Sequence, residues 1–128
     1  MRLLLDTQVF LWWVAGEPKL TRRARTAIAS ARNECFVSVA SGWEIAIKLS
    51  LGNLRIEGAL ERFLPEQIAA NAFRPLPIDL KHVARVARLP FVHRDPFDRL
   101  LVAQALEEDL AVATADPVFA KYGLRLVW

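Results

Sequence analysis

Short apolar runs of strand length recur along this chain, and each is separated from the next by a stretch with helical periodicity. The runs are Leu3 to Leu5, Cys35 to Val39, a segment around Arg74 to Ile78, Leu110 to Thr114 and Leu124 to Trp128. Between them lie Val9 to Ala15, stopped by Gly16 and Pro18, and an alanine- and arginine-rich segment from Thr21 to Arg32. The pattern Ile45, Ile47, Leu49, Leu51, closed by Gly52, follows, and then helices from about Ala59 to Ala72, Leu80 to Leu89 and Pro96 to Asp109. Strands that are apolar throughout are buried on both faces, and strands alternating with helices pair in parallel through crossovers. The sequence therefore predicts an α/β fold with an open, mostly parallel sheet covered on both sides. A length of 128 residues holds one such domain, spanning 1–128.

The same composition removes several classes of protein. With 54% hydrophobic and 24% charged residues the chain has ample core material and is not disordered. The run Leu3 to Leu5 meets Asp6 too early for a signal peptide, and no later stretch approaches the apolar length of a bilayer span. A soluble, cytoplasmic protein without a membrane partner is expected. Cys35 is the single cysteine, and His82 and His93 have no ligand spacing, so any metal must be held by oxygen. Only Lys19, Lys48, Lys81 and Lys121 among the 17 basic residues are lysines. An arginine bias of this kind, with a pI near 9.5, leans towards a phosphate-bearing partner.

Four acidic residues fall at equivalent places. Asp6 directly follows the first strand, Glu44 lies in the helix after the second, Asp98 in the helix opened by Asp95-Pro96, and Asp116 just after the Leu110 to Thr114 strand. Open parallel sheets bind ligands outside the carboxyl ends of their strands, so these carboxylates can converge on one cleft. Their mutual repulsion calls for a cation, and Mg²⁺ or Mn²⁺ suits carboxylate and water ligands. Helix capping competes with this reading. Ser41 and Glu44 match a capping box with Ser41 as N-cap, Asp95 caps a helix with Pro96 at its first position, Asp98 suits the first-turn dipole, and Asp116-Pro117 is a further cap. Taken singly, capping accounts for each acid except Asp6.

Four segments in order carry a resemblance. Leu4-Leu5-Asp6-Thr7, Ser41-Gly42-Trp43-Glu44-Ile45-Ala46-Ile47-Lys48, His93-Arg94-Asp95-Pro96-Phe97-Asp98-Arg99-Leu100-Leu101 and Thr114-Ala115-Asp116 resemble the four motifs of the PIN domain family, and within it the toxin subunits of VapBC-type bacterial toxin–antitoxin pairs. The resemblance implies a three-layer α/β/α fold and a metal-dependent endoribonuclease that uses Mg²⁺, or Mn²⁺, as the toxin of a type II toxin–antitoxin system. Carried over residue by residue, it makes Asp6, Glu44, Asp98 and Asp116 the metal-site carboxylates, Asp95 an outer contributor, and Thr7 and Thr114 supporting polar groups. As partners it implies an RNA substrate, a cognate antitoxin seated in a groove, and a second copy in a homodimer.

Other residues divide between structure and function. Arg94 and Arg99 flank the third motif and are placed either to clamp the scissile phosphate or to be solvated at a helix start. Lys48 is read as an ion pair with Glu44 one turn earlier, and Arg22, Arg23, Arg25 and Arg32 as a solvated face. Trp12 and Trp13 diverge by about 100° on a helix, so one is expected at an interface, whereas Trp43, Trp128 and Cys35 are expected in the core. Two other phosphotransfer folds fit poorly. A haloacid-dehalogenase-type phosphatase needs a second aspartate where Gln8 stands, and a receiver domain needs an acidic pair and a late lysine that are not evident. A non-catalytic RNA- or protein-binding module of the same fold is the remaining alternative, and the presence of all four acids weighs against it.

Overall fold

The computed structural model describes residues 1–128. Five strands form one sheet: β1 (Arg2–Leu5), β2 (Glu34–Ser38), β3 (Arg74–Leu76), β4 (Ala111–Ala113) and β5 (Leu126–Val127). Their order is β3-β2-β1-β4-β5 and every pair is parallel. Six α-helices cover it: α1 (Thr7–Ala15), α2 (Arg22–Ala29), α3 (Val39–Ser50), α4 (Leu60–Ala70), α5 (Leu80–Val86) and α6 (Pro96–Glu108), with a 3₁₀ helix at Pro117–Tyr122.

Alternation of side chains along the strands divides the core in two. Leu3 and Leu5 of β1 are in register with Cys35 and Val37 of β2 and with Ala111 and Ala113 of β4. These residues face Val9 and Phe10 of α1, Ile28 of α2, Ile45 of α3 and Phe73. Leu4 is in register with Phe36 and Val112, and that face meets Leu101, Val102 and Ala105 of α6 with Phe119 and Tyr122 of the 3₁₀ helix. The result is the three-layer α/β/α architecture expected from the sequence. Cys35 is a small buried core residue as expected.

Topology places the functional edge. From β1 the chain steps outward through β2 to β3, then crosses back over β1 to β4 and steps outward to β5 on the other side. The crevice at the carboxyl ends of β1 and β4 is therefore the point where the winding reverses.

Helix α3 begins earlier than the sequence suggested. Its N-cap is Ser38, whose Oγ accepts from the Ala40 N–H at 3.0 Å and donates to Gln104 Oε1 at 2.5 Å. Ser41 thus lies inside the first turn, where its Oγ accepts from the Thr7 hydroxyl at 2.8 Å. Ser38 wins the cap because its hydroxyl satisfies a helix N–H and a buried glutamine at once. Loss of both contacts in Ser38→Ala should cost about 2 kcal/mol, and Ser41→Ala, which strands only the Thr7 hydroxyl, about 1 kcal/mol. Urea denaturation of the two variants checks the assignment, and a larger loss for Ser41→Ala would reverse it.

Candidate active site

Each acidic residue reaches the sheet edge from a different element. Asp6 follows β1 and caps α1, its Oδ1 accepting from the Val9 N–H at 2.7 Å. Capping therefore accounts for Asp6 too, contrary to the expectation that it alone lacked this role; its cap was hidden because α1 starts at Thr7, two residues before the apolar pattern. Glu44 sits on α3 and pairs with Lys48 at 3.6 Å, the ion pair read from the sequence. Asp98 is the third residue of α6, whose N-cap is Asp95: Asp95 Oδ1 accepts from the N–H groups of Phe97 (2.9 Å) and Asp98 (3.0 Å). Asp116 follows β4 and caps the 3₁₀ helix by accepting from the Val118 N–H at 3.0 Å.

All five carboxylates line one cleft of about 450 Å³, together with Thr7, Gln8 and Lys48. Lys48 is the single cation on its wall. Thr7 and Thr114 are both buried; Thr114 Oγ1 accepts from the Asp116 N–H at 3.0 Å and so ties the end of β4 to the turn that carries Asp116.

Electrostatics at this edge are unbalanced. Asp6 is only 8% exposed, and burial pushes its carboxyl above the usual range. Hydrogen bonding to Thr114 and Val9 lowers it, whereas the charges of Glu44 and Asp116 raise it again. Asp98 is pushed up to about 6, first by burial and then by the neighbouring Asp95, with His93 opposing. Raised carboxyls in one cleft mark a place that a cation would relieve. An all-oxygen donor set suits a hard divalent ion such as Mg²⁺ or Mn²⁺. No three of these side chains close on a common point.

The two arginines of the third motif part company. Arg99 is 6% exposed and turns into the protein, donating to Pro90 O at 2.9 Å and to the Tyr122 hydroxyl at 3.2 Å, so it is no phosphate clamp. Position 99 shares the buried face of α6 with Val102 and Ala103, which the helical register could have revealed. Arg94 is exposed outside the residues that line the cleft, and Arg22, Arg23, Arg25 and Arg32 are solvated as expected. His93, given no role from the sequence, places Nε2 at 3.3 Å from Asp98 Oδ2. Its position five residues before Asp98, across the cap, is irregular backbone that no periodicity could decode.

One tryptophan differs from expectation. Trp43 is 57% exposed rather than buried, its ring edge against Phe97 with centroids 4.9 Å apart. Trp43 loses its place in the core because the earlier start of α3 gives the inward positions to Ala40, Ser41 and Ile45. Trp13 packs on Phe73 and donates from Nε1 to Asn71 Oδ1 at 2.9 Å. Trp12 packs on half-buried Trp128 and lines a larger groove of about 1260 Å³ between α1 and α4, which shares Gln8 and Lys48 with the acidic cleft.

Comparison with known proteins agrees with this architecture. The family model of the PIN domain matches residues 3–124. The structure of VapBC2 from Rickettsia felis bound to a promoter DNA fragment is similar, with a TM-score of 0.72, 14% identity, and coverage of 98% of this chain and 97% of that one. FitAcB from Neisseria gonorrhoeae has a TM-score of 0.64 and 20% identity over 97% and 95% of the two chains. DNA-bound VapBC from Salmonella typhimurium has 0.66 and 17% over 98% and 96%. No curated protein sequence matches the chain.

The Asp98 carboxyl gives a pH test. Its folded pKa lies above 3.8, so its contribution to stability is present below about pH 4 and is lost as the pH rises through about 6. In EDTA, the melting temperature of Asp98→Asn should gain on the parent by roughly 3–6 °C between about pH 5 and about pH 7.5, the response of a domain this size to about 1 kcal/mol. Scanning fluorimetry reads the gap, and a gap that does not change with pH would refute the buried, titrating carboxylate.

Proposed function

Because this chain belongs to the PIN domain family, we propose that it is a metal-dependent endoribonuclease and the toxin of a type II toxin–antitoxin pair. The observation that carries this reading is the convergence of Asp6, Glu44, Asp98 and Asp116, from four separate elements, on one cleft at the switch point of the sheet. These four carboxylates would hold Mg²⁺ or Mn²⁺, with Asp95 contributing from outside as the cap that fixes the start of α6. When bound, the ion supplies the missing positive charge, acidifies the attacking water and stabilises charge on the phosphoryl oxygens.

The chain's own groups do the rest. Asp6 and Asp116 each accept a helix N–H through Oδ1, so folding itself aims them at the cleft they line. Thr7 and Thr114 fix the backbone behind those carboxylates. Lys48, the cation of the wall, would meet an RNA phosphate by leaving Glu44, and Arg94 adds an exposed cation beside Asp95 in the sequence. In the hydrolysis, water oxygen bonds to phosphorus, the bond to the leaving ribose oxygen breaks, and that oxygen departs with a proton.

Partners follow the same reading. The toxin–antitoxin complexes among the similar structures support a cognate antitoxin, and the groove lined by Leu11, Trp12 and Phe63 is the surface proposed to receive it. A homodimer is proposed as well, with the exposed Trp43 and its neighbour Phe97 as apolar surface that a second copy would cover. No helix is long and apolar enough to cross a membrane, in keeping with a proposed cytoplasmic site of action.

Purified protein free of antitoxin should cut a structured RNA in Mg²⁺ or Mn²⁺ and stop in EDTA. Asp6→Asn and Asp98→Asn should lose activity by at least about a hundredfold, whereas Asp95→Ala should lose about 1 kcal/mol of stability with most activity kept. Undiminished cutting in EDTA, or by Asp6→Asn, would refute the reading. Expression of this chain alone should arrest growth, co-expression of its cognate antitoxin should restore it, and the two proteins should co-purify.

A further inference from the structure

Arg99 is a buried cation without a carboxylate partner. Its guanidinium stands 4.6 Å from the centroid of the Phe91 ring and bonds to Pro90 O and the Tyr122 hydroxyl. Tyr122, also buried, has its hydroxyl 2.6 Å from His93 Nδ1, and His93 Nε2 is 3.3 Å from Asp98 Oδ2. Four side chains are thus linked in a line that ends on a carboxylate of the acidic cleft.

The guanidinium fixes the direction of the first bond in that line. A guanidinium only donates, so the Tyr122 oxygen accepts from Arg99. A neutral ring that serves both of its neighbours takes the Tyr122 hydroxyl proton on a bare Nδ1. That tautomer carries the ring proton on Nε2, facing Asp98 Oδ2. The edge-on packing of His93 against Tyr122, with centroids 5.5 Å apart and planes at 65°, holds the imidazole plane in place. Without this chain the Asp98 carboxylate, at the third position of α6, would be free to exchange rotamers in a cleft full of like charge.

We propose that Arg99, Tyr122 and His93 form a directed hydrogen-bond chain that positions the Asp98 carboxylate for cation binding, with His93 and Tyr122 as positioning residues. The inference rests on the reading of Asp98 as a ligand of the bound ion. A histidine that orients a carboxylate in this way acts on the ion through the carboxylate, and such outer partners typically change metal affinity by about 10–100-fold.

The test is Mn²⁺ affinity, measured by calorimetry and by the electron paramagnetic resonance of free Mn²⁺, with folding followed by melting temperature and near-ultraviolet circular dichroism. Asp98→Asn should weaken binding most. His93→Ala should weaken it about tenfold, and His93→Gln, whose amide nitrogen can replace the Nε2 donor, should recover most of that loss. Tyr122→Phe removes one oxygen, keeps the ring in its packing, and should weaken binding severalfold at nearly unchanged melting temperature. In RNA cleavage, His93→Ala and Tyr122→Phe should lower kcat with little change in KM. A purely structural brace would lower the melting temperature and leave Mn²⁺ affinity alone, and that result would overturn the inference while the loss in Asp98→Asn still upheld the cation reading. Parent-like binding by Asp98→Asn would instead remove the cation reading, and the inference with it. Should His93→Ala fail to fold, Tyr122→Phe decides.

Discussion

Burial of β1 on both faces is the constraint from which the rest of this structure follows. Leu3, Leu4 and Leu5 are fully buried, and a strand can be apolar on both sides only where helices cover both. β1 therefore takes the middle of the sheet, with β2 on one side and β4 on the other. The first polar residue after it emerges at the switch point, and that residue is Asp6. Position in the sheet, more than any local preference, turns an aspartate near the N-terminus into the floor of a cleft.

Capping and ligand binding compete for the same residue types, and here they coincide. Asp6, Asp95 and Asp116 each accept backbone N–H bonds at a helix start, the usual use of aspartate at such places. A carboxylate has two oxygens, however, and a cap occupies one. Helix N-termini around one crevice hence supply a ring of carboxylates held by their own backbones, whose mutual repulsion is partly offset by the dipoles behind them. Burial, with the neighbouring charges adding to it, still leaves the Asp6 and Asp98 carboxyls raised. Folding thus assembles a site under electrostatic load, and a cation that binds only the folded chain would release that load and stabilise it.

The legible parts of the sequence were those written in periodicity or in strong local signals. The strand and helix order, the Asp95-Pro96 cap and the Glu44–Lys48 pair all follow from spacing along one element. The parts that failed depended on comparing two elements. Ser41 alone reads as the N-cap until Gln104, far away on α6, fixes Ser38 in that role and Thr7 engages the Ser41 hydroxyl. Trp43 reads as a core residue by size, yet the register set by Ser38 turns it outward. His93 carried no signal because its neighbour Tyr122 lies in a 3₁₀ helix 29 residues further along the chain.

Arg99 shows why a motif residue beside the chemistry need not touch it. A lysine at that position would present one ammonium to several acceptors, with less reach and a larger desolvation cost. The guanidinium instead spreads its charge over backbone carbonyls, a tyrosine oxygen and the face of Phe91. Those contacts pin the segment between α5 and α6, which has no regular structure of its own, to the 3₁₀ helix after β4. His93 lies in that segment and Asp116 opens that helix. One buried cation therefore couples the two irregular connections that flank the cleft, and the rest of the acidic edge is carried by regular elements that need no such pin.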